Sequence, residues 1–249
     1  MTLFHQYYDA LYADKQYGEE VRSILAVAAE FGVNNPKRIL EIGCGTGNHT
    51  IELAKGVEDL LAIDTDPDMV KMAEQKIARS GLQTVRVRGE PVERISEGNF
   101  DLALALFHVV TYIETREALQ SFFRSIAKAL HGGGLFIFDC WNGDATLRDP
   151  PREKKILRTL GETVLTGTLT PATDADKRLT LLTYHLKVEE GAQTREESFV
   201  VPQKLWSPRE IEKACADAGF TILRKFPALH PERTAKEDDW KIGYICQKK

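Results

Sequence analysis

The chain has 249 residues, enough to bury a sizeable core in one large α/β domain or in two small ones. Its 33 Lys and Arg residues are balanced by 37 Asp and Glu residues, and the net charge of -4 argues against nucleic acid as a partner. We interpret the local charge runs, such as 152–155 and 236–239, as solvated turns and faces.

The cysteine pattern and the apolar runs bear on the compartment. The four cysteines are scattered without metal-ligand spacing, which is typical of reduced cysteines in a cytoplasmic protein, and we predict no metal site. The amino terminus lacks the pattern of a secretory leader, and the longest apolar run, residues 102–113, is too short to span a bilayer. We therefore expect a cytoplasmic protein with no membrane partner.

Residues 3–31 are predicted to form two helices, the second of which ends at Gly32. The first segment is rich in tyrosine and includes Tyr8, Tyr12 and Tyr17. Such an aromatic stripe is either ordinary core packing or a lid over a binding crevice. We predict a helical lid over residues 1–32, with Tyr8 and Tyr12 near the substrate.

The next segment, residues 38–50, predicts a buried strand, a tight glycine turn and the start of a helix. Its glycines are Gly43, Gly45 and Gly47, so a ligand could approach bare backbone. The spacing differs from both phosphate-binding glycine loops, no lysine follows it, and the carboxylate of Glu41 would repel a phosphate. A ligand with positive charge suits this turn better, and the alternative is a glycine turn with no ligand.

Three more strands follow in the order of a parallel sheet. The second, residues 60–64, ends in Asp64, whose position suits the binding of vicinal ribose hydroxyls, although a turn or capping acid is the alternative. The third, 84–87, leads to Gly89 and Glu90, and the fourth, 100–106, runs into His108 and Tyr112. Since ligands bind beyond the carboxyl ends of such strands, these last two residues are expected beside the reacting centre.

The second half of the chain changes character after a fifth strand. A helix over 119–130 is predicted to end at 132–134, and the strand 135–139 delivers Trp141 and Asn142 to the same sheet edge. Segments near 162–169, 178–188 and 196–205 predict three or four antiparallel strands, inserted over residues 145–205. The Ser207 capping box opens a helix over 211–218, and strands 221–226 and 241–246 complete a doubly wound, seven-stranded α/β sheet in a single domain, 1–249.

The turn from Glu41 to Gly47 resembles motif I of the class I S-adenosylmethionine-dependent methyltransferases, and Asp64, Glu90 and the end of strand four follow in the family order. This resemblance implies the Rossmann-like methyltransferase fold with S-adenosylmethionine as cofactor, and it puts Thr65 and Met69 near the adenine. The cofactor-binding residues it implies are Tyr17, Glu41, Gly43, Cys44, Gly45, Gly47, Asp64, Thr65, Met69, Glu90, Pro91, Leu106 and Phe107.

Features outside this core resemble bacterial N-methyltransferases of nucleotide-linked deoxyamino sugars, among them the amino-terminal tyrosines, Trp141 and the β insert. This resemblance implies a small-molecule acceptor and a homodimer. The expected substrate residues are Tyr8, Tyr12, Trp141, Asn142 and Tyr184.

His108, with Tyr112 beside it, is the candidate to accept the proton of an amine, and the alternative is a core histidine satisfied by backbone. Two other functions stay open. One is a metal-independent O-methyltransferase acting on a hydroxyl or carboxylate, and the other is a non-catalytic protein that binds the cofactor.

Overall fold

A computed structural model describes residues 1–227 and 230–249 of the chain. The predicted seven-stranded sheet is confirmed, and a second sheet of four strands accompanies it. The strands are β1 (Arg38–Ile42), β2 (Asp59–Asp64), β3 (Val85–Gly89), β4 (Phe100–Ala105), β5 (Leu130–Trp141), β6 (Lys154–Leu160), β7 (Thr163–Asp174), β8 (Leu179–Glu190), β9 (Gln193–Lys204), β10 (Phe220–Pro227) and β11 (Lys241–Lys248).

In the described residues, seven helices connect or cover these strands. Those over the central sheet are amphipathic, as α5 illustrates by burying Phe122, Phe123 and Ile126 on one face. No helix in the described part of the chain is long and apolar enough to cross a membrane. The helices are α1 (Leu3–Leu11), α2 (Tyr17–Glu30), α3 (Asn48–Leu53), α4 (Pro67–Ser80), α5 (Arg116–Ala129), α6 (Gly143–Arg148) and α7 (Pro208–Asp217), with short 3₁₀ turns at Val92–Arg94 and Val109–Tyr112.

The strand order of the large sheet is β10-β11-β5-β4-β1-β2-β3. Strands β1 to β5 run parallel to one another, whereas β11 is antiparallel to both β5 and β10. The chain winds outward in both directions from β1, whose Leu40 pairs with Leu61 of β2 on one side and Ala103 of β4 on the other. The topological switch point, where doubly wound sheets bind ligands, is therefore the carboxyl end of β1 and β4.

The inserted strands β6 to β9 form a separate antiparallel sheet in chain order. Its inner face buries Leu165, Tyr184 and Leu186 in a cluster that includes Leu3 of α1 and Trp141 of β5. This cluster joins the insert to helix α1 and to the carboxyl end of β5. The insert therefore lies over the carboxyl ends of the central strands. It thus supplies one wall of the crevice.

Two boundaries differ from the sequence predictions. The expected insert over 145–205 begins with helix α6 rather than with a strand, and its first strand, β6, lies outside the three predicted segments. Helix α5 ends at Ala129 and not at the glycines 132–134, which lie inside the longer strand β5. Of these glycines Gly134 allows close packing, since a Cβ there would lie 3.1 Å from the carbonyl oxygen of Phe100.

Polar contacts hold helix α1 over the crevice. They connect it to the glycine turn and helix α4 on one side and to the insert on the other. The carboxylate of Asp9 accepts hydrogen bonds from Thr46 Oγ1 at 2.6 Å and from Lys76 Nζ at 2.7 Å. His5 Nε2 lies 3.0 Å from Asp66 Oδ2 at the start of α4, and Arg195 of β9 donates to the Tyr7 hydroxyl. These contacts hold the amino-terminal helix against the glycine turn, helix α4 and the insert, and its role as a lid stays a prediction.

Candidate active site

Two adjoining cavities lie at the carboxyl ends of the central strands. The larger has a volume of about 490 Å³ and is bounded by the glycine turn, the end of β2 and helix α1. The smaller, about 330 Å³, lies between the end of β4, the end of β5 and the insert. Four aromatic residues line both cavities and form their common boundary: Phe4, Tyr8, Phe107 and Tyr112.

The glycine turn after β1 is held against β2 by its own backbone. The N–H groups of Gly43 and Cys44 both donate to the carbonyl oxygen of Ile63, at 2.8 and 3.0 Å. Gly43 has φ +71°, and a Cβ at this position would lie 2.5 Å from Val109 Cγ2. Glycine is thus required here for its backbone conformation and for the close approach of Val109.

Asp64 at the end of β2 connects the turn to the larger cavity. One carboxylate oxygen accepts the N–H of Gly45 at 2.8 Å and the other accepts the N–H of Asp66 at 2.9 Å. Burial raises the pKa of Asp64, and the backbone N–H donors oppose that rise. Each oxygen retains a lone pair for a ligand, so the carboxylate can fix the turn and still bind two hydroxyls.

The predicted cofactor residues lie together. All of them except Glu41 and Gly47 line the larger cavity. Gly47 is instead the N-cap of helix α3 with φ +83°, and a Cβ there would lie 3.3 Å from the Cβ of Ala73 in α4. Gly47 therefore serves the packing of two helices.

Glu41 is buried away from the cavity, contrary to the expectation that it would face the ligand. Its carboxyl accepts a hydrogen bond from Thr50 Oγ1 at 2.6 Å. Burial raises the pKa of Glu41 to about 8 against the effect of the Thr50 hydrogen bond, so the group is largely neutral at pH 7. Its charge is therefore not what would exclude a phosphate from the turn, and its role is to join β1 to α3.

A charged cluster below the larger cavity did not follow from the sequence analysis. Glu20 of α2 accepts a hydrogen bond from His49 Nε2 at 2.8 Å and pairs with Lys15, and all three side chains are nearly buried. The Tyr17 ring packs edge-on against His49 at 4.8 Å. The Tyr17 hydroxyl is buried and has no hydrogen-bond partner among the described residues, so it is available to a ligand in the larger cavity.

His108 is buried in the wall of the smaller cavity, where it pairs with Asp139 of β5. The distance from His108 Nδ1 to Asp139 Oδ2 is 2.5 Å. The other ring nitrogen, Nε2, is buried and has no hydrogen-bond partner in the described part of the chain. Asp139 itself was missed, although its place at the end of a buried strand next to β4 was a usable signal.

The same carboxylate stabilises an unusual backbone. Phe107 and His108 are consecutive non-glycine residues with φ of +69° and +66°. Their N–H groups donate to Asp139 Oδ1 at 2.7 and 3.3 Å. Left-handed conformations of this kind cost free energy and are concentrated at functional sites, so Asp139 fixes both the side chain and the backbone of His108.

The pKa of Asp139 reflects this arrangement. Burial alone would raise it, but the charge of His108 and the hydrogen bonds to the carboxylate outweigh burial and lower the pKa of Asp139 to about 2. Asp139 is consequently ionised at neutral pH and can stabilise a positive charge on His108.

The other predicted substrate residues divide into two groups. Tyr8, Tyr12, Trp141 and Tyr184 line the smaller cavity, and Tyr112 lies at its junction with the larger one. Asn142 does not line either cavity. It caps helix α6 and donates to the carbonyl oxygens of residues 237 and 239, so its role is structural.

A cationic rim was also missed. Arg152, Lys154 and Lys241 line the smaller cavity, and the run 152–155 is exposed, as predicted. Burial lowers the pKa of Lys241, while Asp139 opposes that effect. The rim comes together only because β6 and β11 begin at the same side of the crevice.

The chain is similar to known methyltransferases. Residues 39–134 match the family model described as a methyltransferase domain. The chain is 26% identical over 159 residues to dTDP-3-amino-3,4,6-trideoxy-alpha-D-glucopyranose N,N-dimethyltransferase of Streptomyces venezuelae, covering 63% of this chain and 65% of that protein.

Two solved structures share the fold across nearly the whole chain. An S-adenosylmethionine-dependent methyltransferase from Clostridium acetobutylicum has a TM-score of 0.83 at 21% identity, covering 98% of this chain and 96% of that one. The sugar N-methyltransferase KedS8 from Streptoalloteichus has a TM-score of 0.82 at 18% identity, covering 100% and 94%. At these identities the likeness establishes the fold.

The chain thus has the fold of an S-adenosylmethionine-dependent methyltransferase, and residues 39–134 match a methyltransferase domain, in agreement with its motifs. The chain spans about half to two thirds of the length of the curated relatives that it matches, from 53% to 65% in the first three.

Proposed function

We propose that this protein transfers a methyl group from S-adenosylmethionine to an amino group of a small molecule, and that the acceptor is a nucleotide-linked amino sugar. The observation that carries the proposal is His108 Nε2, which is buried in the wall of the smaller cavity without a partner in the described chain. The named activities of the relative from Streptomyces venezuelae and of KedS8 support an amine acceptor.

The larger cavity has the chemistry that the cofactor requires. Bare backbone at Gly43 and Gly45 permits close approach, and the Asp64 carboxylate suits the vicinal hydroxyls of a ribose. The unpartnered Tyr17 hydroxyl offers a further polar contact. When bound, S-adenosylmethionine supplies an electrophilic methyl group. The boundary shared by the two cavities, at Phe107 and Tyr112, is where an acceptor could meet it.

His108 is positioned to remove the proton that an attacking amine must lose. The Asp139 carboxylate holds Nδ1, so Nε2 is the nitrogen directed to this task, and the negative charge stabilises the imidazolium that results. Much of the remaining barrier reduction comes from holding the acceptor and the methyl group in line.

The cationic rim supports an anionic group on the acceptor. Arg152, Lys154 and Lys241 face the same cavity as His108, which matches a molecule with an amine at one end and a diphosphate at the other. The Trp141 indole N–H, buried with no partner among the described residues, is a donor for a sugar hydroxyl beside the amine.

A hydroxyl acceptor is the second candidate. A sugar hydroxyl depends on a base more than an amine does, and the His108–Asp139 pair would supply one. Both candidates use the same cavity, so the acceptor panel has to include amino sugars and their hydroxyl counterparts.

The test is an acceptor screen that measures S-adenosylhomocysteine formation and the mass of the product. We expect dTDP-linked amino sugars to gain methyl groups, and His108→Ala to lower kcat/KM by roughly 10²–10⁴. His185→Ala is the matched control, because His185 is exposed on β8 outside both cavities. Transfer only to the hydroxyl counterparts would favour the second candidate. Cofactor binding without transfer to any acceptor would indicate a non-catalytic protein.

A further inference from the structure

The wall of the smaller cavity is a continuous series of aromatic rings. Beginning at the insert, Tyr184 lies 5.9 Å from Phe4, and Phe4 lies 5.4 Å from Tyr8, between ring centroids. Tyr8 is 4.9 Å from Tyr12, which packs edge-on against Phe107 at 5.0 Å. The hydroxyls of Tyr12 and Tyr184 are 3.2 Å apart, so a hydrogen bond connects the first and the fourth ring of this series.

The series continues on the sheet side through the histidine. Phe107 is 5.4 Å from His108, which is 6.4 Å from Trp141. Trp141 is 4.6 Å from Trp240. Each ring in the series lines the smaller cavity.

The charges around this cavity are unevenly distributed. No Asp or Glu lines it among the described residues, and the nearby Asp139 carboxylate is engaged by His108. A cation inside would therefore meet aromatic rings and no carboxylate. An anionic part of the ligand would instead bind at the rim, where Arg152, Lys154 and Lys241 lie.

We infer that the smaller cavity is an aromatic cage for an alkylammonium group, and that it retains a singly methylated amine for a second methylation. The inference rests on the proposed amine acceptor. Ring faces attract cations, and the attraction grows when the site excludes water. A methylated amine is mostly protonated in water and has more apolar surface than its precursor, so the cage holds the product of the first transfer.

The chemistry of the second transfer balances with the groups present. The retained ammonium gives its proton to His108 Nε2, which must first have released the earlier proton to solvent. The free lone pair then forms the new N–C bond, while the C–S bond of a second S-adenosylmethionine breaks and leaves its electron pair on sulfur. Exchange of the cofactor between transfers takes place in the larger cavity, so the amine does not have to leave.

Binding tests the cage without turnover. Choline and 3,3-dimethylbutan-1-ol have nearly the same shape, and only choline is charged. In calorimetric titrations with S-adenosylhomocysteine present, we expect choline to bind about tenfold or more tightly than the neutral alcohol. Equal affinities for the two, or no binding of choline, would overturn the cage.

Variants at Tyr12 separate the ring from its hydroxyl. Tyr12→Phe keeps the ring and should retain the preference for choline, whereas Tyr12→Leu should lose it. Tyr7→Leu is the matched control, since Tyr7 is on the same helix but lines neither cavity. A preference that survives in Tyr12→Leu of native circular dichroism contradicts the inference.

Turnover provides the second readout. With an amino-sugar acceptor in excess, wild type should form dimethylated product while the monomethyl species stays below the enzyme concentration, and Tyr12→Leu should release the monomethyl species. Methylation of an amine without a choline preference would remove the cage and leave the proposed function intact. A choline preference in a protein that methylates no amine would support the cage and contradict the proposed function.

Discussion

Asp139 determines the geometry at the point where the acceptor is expected to react. Its two carboxylate oxygens divide their contacts, one taking the His108 ring and the other taking the backbone N–H groups of Phe107 and His108. Asparagine has a similar shape but no charge, so Asp139→Asn isolates the electrostatic part of this role.

We predict that Asp139→Asn lowers the free energy of unfolding by roughly 2 kcal/mol at pH 7, because the pKa of Asp139 is about 2 in the fold and ordinarily 3.8. A depressed acid pKa stabilises the fold fully above the ordinary value, and this contribution is lost as the pH falls from about 4 through about 2. The difference between wild type and variant should therefore shrink in that window. Urea unfolding at several pH values measures it, and a difference that stays constant down to pH 2 would contradict the assignment.

The pKa of Glu41 is shifted in the opposite direction from that of Asp139. Its pKa is raised from 4.5 to about 8 by burial, so ionisation of the carboxyl destabilises the fold progressively as the pH rises from about 4.5 through about 8. Glu41→Gln keeps an acceptor for Thr50 and cannot ionise. We expect the variant to be relatively more stable than wild type at pH 9 than at pH 5, as measured by chemical denaturation at both pH values. A parallel pH dependence of the two proteins would show that Glu41 ionises freely.

Asp64 connects the glycine turn with the cofactor. We expect Asp64→Ala to weaken the binding of S-adenosylhomocysteine by tenfold or more, which is about 1.4 kcal/mol, because it removes both the ribose contact and the acceptor for the Gly45 N–H. Isothermal titration calorimetry measures the change. Asp68→Ala on the neighbouring helix is the control, since Asp68 lines neither cavity. Unchanged affinity in Asp64→Ala would place the ribose elsewhere.

At the scale of elements, the turn after β1 depends on its contact with the 3₁₀ turn at Val109–Tyr112. Gly43→Ala would place a Cβ 2.5 Å from Val109 Cγ2 at φ +71°. Gly81 has nearly the same φ, +70°, but a Cβ there has nothing within 4 Å. The two positions therefore share the backbone strain and differ in the steric contact.

We predict that Gly81→Ala costs only the strain of a left-handed alanine, roughly 1 kcal/mol, whereas Gly43→Ala costs more and also abolishes cofactor binding. Thermal unfolding and calorimetry on the same samples give both quantities. Equal melting temperatures for the two variants would mean that Val109 moves aside without cost.

At the scale of the molecule, the crevice is assembled from the central sheet, the amino-terminal helices and the insert. A ligand that bridges these parts stabilises the fold through mass action, by about 2.7 kcal/mol at a ligand concentration of one hundred times Kd. For a domain of this size we expect S-adenosylhomocysteine to raise Tm by roughly 5–10 °C. Differential scanning fluorimetry measures the shift, and Asp64→Ala should require a higher ligand concentration for the same shift.

The homodimer implied by the family resemblance stays a prediction at this scale. Leu157, Leu181 and Val200 of the insert are exposed, and sedimentation velocity of the purified protein would report whether a second copy covers them. A monomer at all concentrations would contradict the expected dimer.

Local patterns were sufficient for the central sheet and for most of the larger cavity. The strand over 38–42, the glycine turn and the acid at the end of β2 all lie within 27 residues of chain, and their order forces the turn and Asp64 to the same sheet edge. The capping box at Ser207 and Glu210 could also be predicted from the sequence, because both of its hydrogen bonds connect residues three positions apart.

The sequence did not predict which way individual side chains point, because tertiary packing determines that direction. Alternation along a strand does not distinguish the two faces of a sheet that is buried on both sides, so Glu41 could be placed in β1 but not on its Thr50 side. Strand β6 was missed for a related reason. It is an exposed edge strand with three basic residues and little apolar periodicity, and only its pairing with β7 defines it.

The sequence by itself determined the class of fold, the cofactor turn and the candidate base, because each of these depends on residues close together in the chain. Only the tertiary structure decided the partner of that base and the shape of the acceptor cavity. His108 and Asp139 are 31 positions apart, and the hydroxyls of Tyr12 and Tyr184 meet across 172 positions. Contacts of such separation arise from the winding of the sheet and the folding of the insert over it, which no local pattern encodes.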